Sequence, residues 1–500
     1  MGGTAGKMVL GTADFVVVAF YMAGVALLGY VAKRMVKTPE DYFAGGKRVP
    51  WWMAAISHHV SGYSAVLFVA HTSRAYKWGL PMTLLIFNTP IAMAIGARLW
   101  APRWARLRVL TPVQWLERRF NNTIRQLCAW SGIAIKFIDE GIKLYSLSII
   151  VSYCTGWDLR VVIVGTGVVA VAYLTFGGLW ATMLTDFMQF FVQYSITIAI
   201  VPCVLWMVGG WDGLWAGQPE KYTWFCDYIS PGFLPVWLAV VTLSYNGGTW
   251  GLAQRFYSIG KPRDATKAAL LSGGLSLVYP LVVFIPAWGA QAILGGVANP
   301  EHAYVAVVHK VLSGWPAGFM GLFIAAMFAA TMSMIDSDLN ALSAVFTNDI
   351  YKRLFKRDAN NKQVLRVGFI ATLVFGALTI CCGLLTIQME GAFKAMVEWY
   401  GGILGPVAIP MLFGMVYRRT TWRGALASWV LGFATFVGVK YGCASFYESG
   451  KTPFPVYAGA ELVVSSVVFF LEPLFFKQSP EEQASVTELF HELEGTEEHK

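Results

Sequence analysis

Apolar residues run along this chain in long, nearly unbroken blocks separated by short polar or charged stretches. A membrane-crossing helix needs roughly 20 mostly apolar residues. Thirteen blocks reach about that length: 12–32, 51–73, 80–102, 123–153, 158–176, 181–208, 233–257, 266–295, 315–347, 365–388, 392–417, 421–443 and 455–476. They are too long and too continuously apolar for barrel strands. A helix also satisfies its own backbone polar groups in lipid. The predicted fold class is therefore an all-α membrane protein with 13 transmembrane helices. The first block has no small-residue cleavage site before its basic flank and reads as a retained span rather than a signal peptide.

Lysine and arginine set the orientation. Twenty-five fall in alternate loops, from Lys33 and Arg34 through Arg103, Arg118, Arg255, Lys352 and Arg418 to Lys477, and only seven in the opposite set. The positive-inside bias places the N-terminus outside and the C-terminus in the cytoplasm. A plasma (inner) membrane location is expected.

Two blocks are interrupted mid-span. The second reads Ser57-His-His-Val60-Ser-Gly-Tyr-Ser64, and the seventh reads Ser244-Tyr-Asn-Gly-Gly-Thr-Trp250. They lie five spans apart, the spacing of two five-helix repeats of opposite orientation whose broken helices carry the binding site. A glycine-rich helix-packing seam is the plainer alternative. This gives an N-terminal span and loop (1–50), a first repeat (51–208), an external loop (209–232), a second repeat (233–417), two further spans (418–477) and an acidic tail (478–500). The tail reads as solvated or disordered.

Composition removes whole classes. Of 500 residues, 56% are hydrophobic and 13% charged, against about 25% charged in soluble domains. Mean hydropathy is +0.54. The net charge of +9 sits in the loops that orient the spans, so no nucleic-acid partner is implied; the expected partners are the lipid bilayer and a small-molecule solute. Seven scattered cysteines form no CxxC pair or Cys/His cluster. No nucleophile–base set, Walker loop or His-Glu-x-x-His motif occurs, so no enzyme is predicted.

Ionisable residues within spans are costly and mark function by default. In the ninth span Ser333, Asp336, Ser337 and Asn340 share one helix face. These hard oxygen donors suit Na⁺. Proton transfer by Asp336 and a helix–helix hydrogen-bond ladder are the alternatives. Asp186 lies near the inner third of the sixth span. Lys136, Asp139, Glu140 and Lys143 in the fourth either pair at i, i+4 spacing or meet a substrate. Of His58 and His59, one is expected to face the cavity and the other to pack. Glu398 opens the eleventh span.

These segments resemble the sodium/solute symporter family. Asp41-Tyr-Phe-Ala-Gly-Gly-Lys-Arg-Val-Pro-Trp-Trp52 resembles the stretch leading into the family's first core helix. Gly177-Gly-Leu-Trp-Ala-Thr-Met-Leu-Thr-Asp186-Phe-Met-Gln189, Ala329 to Tyr351, and Arg418-Arg-Thr-Thr-Trp-Arg-Gly-Ala425 resemble three more of its motifs, in order. The resemblance implies a LeuT-like core and Na⁺-coupled uptake by alternating access. It implies a main Na⁺ site from the carbonyls of Val60, Tyr63 and Ala330 with the Ser333 hydroxyl. Met334 stands where a second hydroxyl is usual. A second Na⁺ site would use Asp336, Ser337 and Asp186, with Asp336 replacing a neutral serine. Either Asp336 compensates for Met334 and the coupling ion is Na⁺, the preferred reading, or Asp336 titrates and the ion is H⁺.

The residues and the resemblance together give the solute-binding positions as His58, His59, Leu67, Ile86, Asp139, Glu140, Thr249 and Glu398. Leu67, Ile86, Thr249 and Glu398 stand where sugar carriers place Gln, Glu, Asn and Gln. A neutral polyhydroxy solute such as a sugar is favoured, with an amino acid or cationic amine as the alternative. A channel or sensor is the competing class.

Overall fold

In the computed structural model, residues 10–174, 178–389, 392–397 and 401–495 are described, and among them every regular element is helical. Each of the thirteen predicted blocks is mainly helical where described. Eight are single helices long and apolar enough to span. Two more, α5 (Asn122–Thr155) and α6 (Leu159–Leu174), form a pair bent by 118°. The remaining three are shorter or broken, so length and hydropathy alone do not establish a count of thirteen.

The two interrupted blocks are broken helices. In the first, α2 (Trp51–Val60) ends in a tightened turn, with the Tyr63 amide donating to the Val60 carbonyl at 3.2 Å. Ser64 restarts the chain by accepting from the Val66 amide at 3.2 Å. A wide turn over Leu67–His71 then leads into α3 (Thr72–Trp78). In the second, α8 (Phe233–Leu243) runs into Ser244–Gly248, and α9 (Trp250–Tyr257) resumes after an extended Thr249. Gly247 has φ 137°, and a Cβ there would lie 2.9 Å from the Trp104 indole. Only glycine takes that backbone without strain. The breaks touch: Tyr245 Oη donates to the Gly62 carbonyl at 2.9 Å.

Around the breaks stand α4 (Met82–Leu99), α5, α7 (Gly178–Val208), α10 (Pro262–Leu294) and α12 (Phe319–Val345). The apolar stretch of α12 is 78% buried, against 22% for α1 (Thr12–Lys33). So α12 is central and α1 peripheral. Phe15, Phe20, Leu27 and Tyr30 on α1 are exposed, as a lipid-facing surface requires.

The C-terminal segment differs from the sequence expectation. Pro480–Glu494 forms a helix, α17, capped by Ser479. Its apolar face, Val486, Leu489, Phe490 and Leu493, is buried. Arg118 Nη1 meets Glu492 at 2.7 Å, and Arg106 Nη1 donates to the Leu493 carbonyl at 2.9 Å. The acidic composition that suggested a solvated tail is the complement of the basic loops it covers.

Candidate solute cavity and ion site

The breaks, α4, α5 and α8 line a cavity of about 120 Å³. Of the sequence-derived solute positions, Leu67, Ile86, Asp139 and Thr249 line it, together with the ion-site residue Tyr63. His58 and His59 are buried but bonded away from it. His58 Nδ1 lies 2.8 Å from Ser272 Oγ and Nε2 lies 3.0 Å from the Tyr245 carbonyl. His59 meets Ser276 Oγ at 3.1 Å and the Tyr194 hydroxyl. Glu140 is buried behind the wall, and Glu398 lies outside the described residues. Met334, noted in the sequence as a missing hydroxyl, is part of the cavity wall. Sequence reasoning missed His71, Thr89, Trp237 and Tyr245 as lining residues; helical spacing carries no signal for which face of a broken helix meets the cavity.

One wall of the cavity is charged. Lys143 Nζ lies 2.9 Å from Asp139, 2.5 Å from Glu140 and 2.8 Å from Asp338, and Lys136 Nζ lies 3.0 Å from Asp139 and 2.8 Å from Asp338. The i, i+4 pair Asp139–Lys143 forms as expected, but the hub, Asp338, was not anticipated. It sits off the Ser333–Asn340 face and looks across to α5. The three carboxylates lie close enough to hold a metal ion, but the Lys143 ammonium already takes that central position. Asp338 also accepts from the Gly251 amide at 3.3 Å, linking α5 and α12 to the first turn of α9.

A second polar centre lies between α2, α7, α9 and α12. Arg255, counted in the sequence among loop cations, is fully buried in α9. Its guanidinium reaches Asp186 Oδ2 at 2.9 Å, Ser61 Oγ at 2.8 Å, Ser57 Oγ at 2.9 Å and the Ser337 hydroxyl. Ser61 Oγ lies 3.1 Å from both Ser333 Oγ and Ser337 Oγ. The structure thus brings together Asp186, Ser333 and Ser337, which the resemblance divided between two ion sites, with a guanidinium among them. Asp186 Oδ1 makes no hydrogen bond among the described residues. Asp336 is buried one turn away, within electrostatic reach of Tyr21, as Asp186 is.

Similarity to known proteins fits this architecture. Residues 42–432 match the model of the sodium:solute symporter family. The chain is 27% identical over 467 residues to a sodium/glucose cotransporter of Vibrio parahaemolyticus, covering 85% of this chain and 84% of that one. It is 25% identical to the human sodium-coupled monocarboxylate transporter 1, covering 84% and 71%. In fold it matches a substrate-bound, outward-open Na⁺-coupled sialic acid symporter with a TM-score of 0.82 at 20% identity, covering 94% and 99%. The fold is the five-plus-five, LeuT-type inverted repeat. With its family match across most of its length and paired broken helices lining one cavity, this chain belongs to the sodium:solute symporter family and is a multi-pass, Na⁺-coupled solute carrier working by alternating access, not an enzyme.

Proposed function

We propose that the chain imports a small solute with an apolar body through the cavity between its two broken helices. The coupling Na⁺ then sits beside Ser333, held by the carbonyls of Val60, Tyr63 and Ala330. A cation beside Ser333 and Ser337 is supported by the open oxygen of Asp186, whose other oxygen is linked to both hydroxyls through Ser61. Oδ2 is held by Arg255 and the Ser57 hydroxyl, while Oδ1 is buried without a hydrogen bond among the described residues. A buried carboxylate oxygen left so is costly, and a hard cation resolves it. Asp186, Asp336 and Arg255 together carry one net negative charge, which one Na⁺ cancels.

The polyhydroxy solute favoured by sequence suits the cavity less well. Val66, Leu67, Leu85, Ile86, Val240 and Leu252 make much of the wall apolar, and sugar hydroxyls against it would lose their hydrogen bonds to water. Under this reading the positive loops face the cytoplasm across the inner membrane. Na⁺-gradient-driven uptake in proteoliposomes tests the ion placement. Ser333→Ala raises the half-saturating Na⁺ concentration about tenfold under the proposal, and an unchanged value overturns it.

A further inference from the structure

We propose that the charged wall of the cavity receives a protonated amine, so that the transported solute is an organic ammonium with an apolar body. This rests on the solute-carrier reading above and names the class of solute.

The hydrogen-bond inventory of the wall carries the assignment. Its strong donors are already spent on the protein. Trp237 Nε1 donates to the Leu85 carbonyl at 2.9 Å and Tyr245 Oη to the Gly62 carbonyl at 2.9 Å. The Lys143 ammonium has three hydrogens and three carboxylate partners. The amides that open the second half of the first broken helix are taken too. Ala65 donates to Thr331 Oγ1 at 3.1 Å, Val66 to Ser64 Oγ and Leu67 to the Ser64 carbonyl. A helix N-terminus that would otherwise hold a solute carboxylate is therefore closed to one.

What remains toward the cavity accepts. Asp139 lines it while also meeting both lysines. His71 Nδ1 lies 3.3 Å from the Val66 carbonyl; with the proton on that nitrogen, Nε2 is an acceptor. Counted formally, Asp139 in the wall with Glu140 and Asp338 behind it outnumber Lys143 and Lys136 by one charge, and Glu140 Oε2 has no hydrogen bond among the described residues. Buried ionic groups demand compensation, and an ammonium at Asp139 supplies it. The aromatic faces of Tyr63, Tyr245 and Trp237 also attract cations.

A wider basin beyond Phe393 contains Arg74 and Lys440. Arg74 lies 5.3 Å from the Trp78 ring and 5.0 Å from that of Phe393, and Lys440 lies 5.4 Å from the rings of Phe436 and Tyr441. These cations are faced by aromatic surfaces.

The test is a thermal-shift titration of the purified full-length protein, in Na⁺ and in K⁺, with four probes that share an isobutyl group: isopentylamine, isopentanol, isovalerate and leucine. The expected result is Na⁺-dependent stabilisation by isopentylamine at concentrations at least tenfold below the others. Asp139→Asn should weaken the amine at least tenfold while melting as a folded protein, since it leaves the cluster neutral, and Asp139→Glu should restore part of the affinity. Tighter or equal binding of isopentanol, isovalerate or leucine overturns the amine assignment but leaves the solute-carrier reading standing. So does an Asp139→Asn protein that keeps its amine affinity. If no probe shifts the melt, the assignment fails; if Na⁺ alone has no effect either, the ion placement fails with it.

Discussion

Arg255 Nη2 lies 2.9 Å from Asp186 Oδ2 with both side chains sealed from solvent. It ties α9 to α7. The serine hydroxyls of Ser57, Ser61 and Ser337 complete its shell. Breaking one partner of such a pair strands a buried charge, at a cost of about 3–5 kcal/mol.

Arg255→Gln is therefore expected to lower the melting temperature sharply and abolish Na⁺-driven uptake. The double variant Arg255→Gln/Asp186→Asn removes both charges and should recover most of the stability. A double-mutant cycle on melting temperature checks this; simple additivity would contradict the pairing.

Met334 lines the cavity wall, and under the proposed ion placement a hydroxyl there would reach the Na⁺. Met334→Ser adds a donor oxygen next to Ser333. One well-placed polar interaction contributes about 0.5–1.5 kcal/mol net, so the half-saturating Na⁺ concentration should fall by about 2- to 10-fold. Na⁺ titration of initial uptake rates reads the change, and solutes with bulkier bodies should gain at the same time.

Gly247 holds a backbone conformation that alanine resists, against the Trp104 ring. Gly247→Ala should cost about 1–3 kcal/mol and displace the break that carries Thr249. Thermal melts measure the first effect and uptake the second. A wild-type melting temperature would show that the break tolerates a side chain.

Gly251 abuts the charged wall: a Cβ there would lie 2.8 Å from Asp338 Oδ1. Gly251→Ala should push α9 away from Asp338 and reduce uptake more than stability. Comparing maximal uptake rate with melting temperature separates the two.

The tail helix is held by its apolar face and by arginine–glutamate pairs at the surface. Burying one leucine contributes about 1.5–3 kcal/mol, whereas the exposed pairs contribute about 0–1 kcal/mol each. Leu489→Glu should therefore release α17 to protease, and Glu492→Gln should not. Limited proteolysis followed by mass spectrometry distinguishes them.

The sequence by itself determined the helical membrane class, both breaks and the Ser333–Ser337 face. Apolar block length, glycine placement and helical spacing are local properties. It also marked Asp139 and Lys143, because i, i+4 charges inside a span are visible one residue at a time. Only the tertiary structure decided which charges meet. Asp338 lies off the face that carries Ser333 and Asp336, and nothing in its own span shows that α5 brings two lysines to it. Arg255 ends an apolar block and so looks like a loop cation, until the break before α9 turns it inward to Asp186. His58 and His59, polar and mid-span, invited a cavity role that packing against α10 and α7 assigns to Ser272, Ser276 and Tyr194 instead. Local periodicity fixes where a side chain stands on its helix. Its partner depends on how helices far apart in sequence pack, because buried charges are stable only where distant elements bring their opposites.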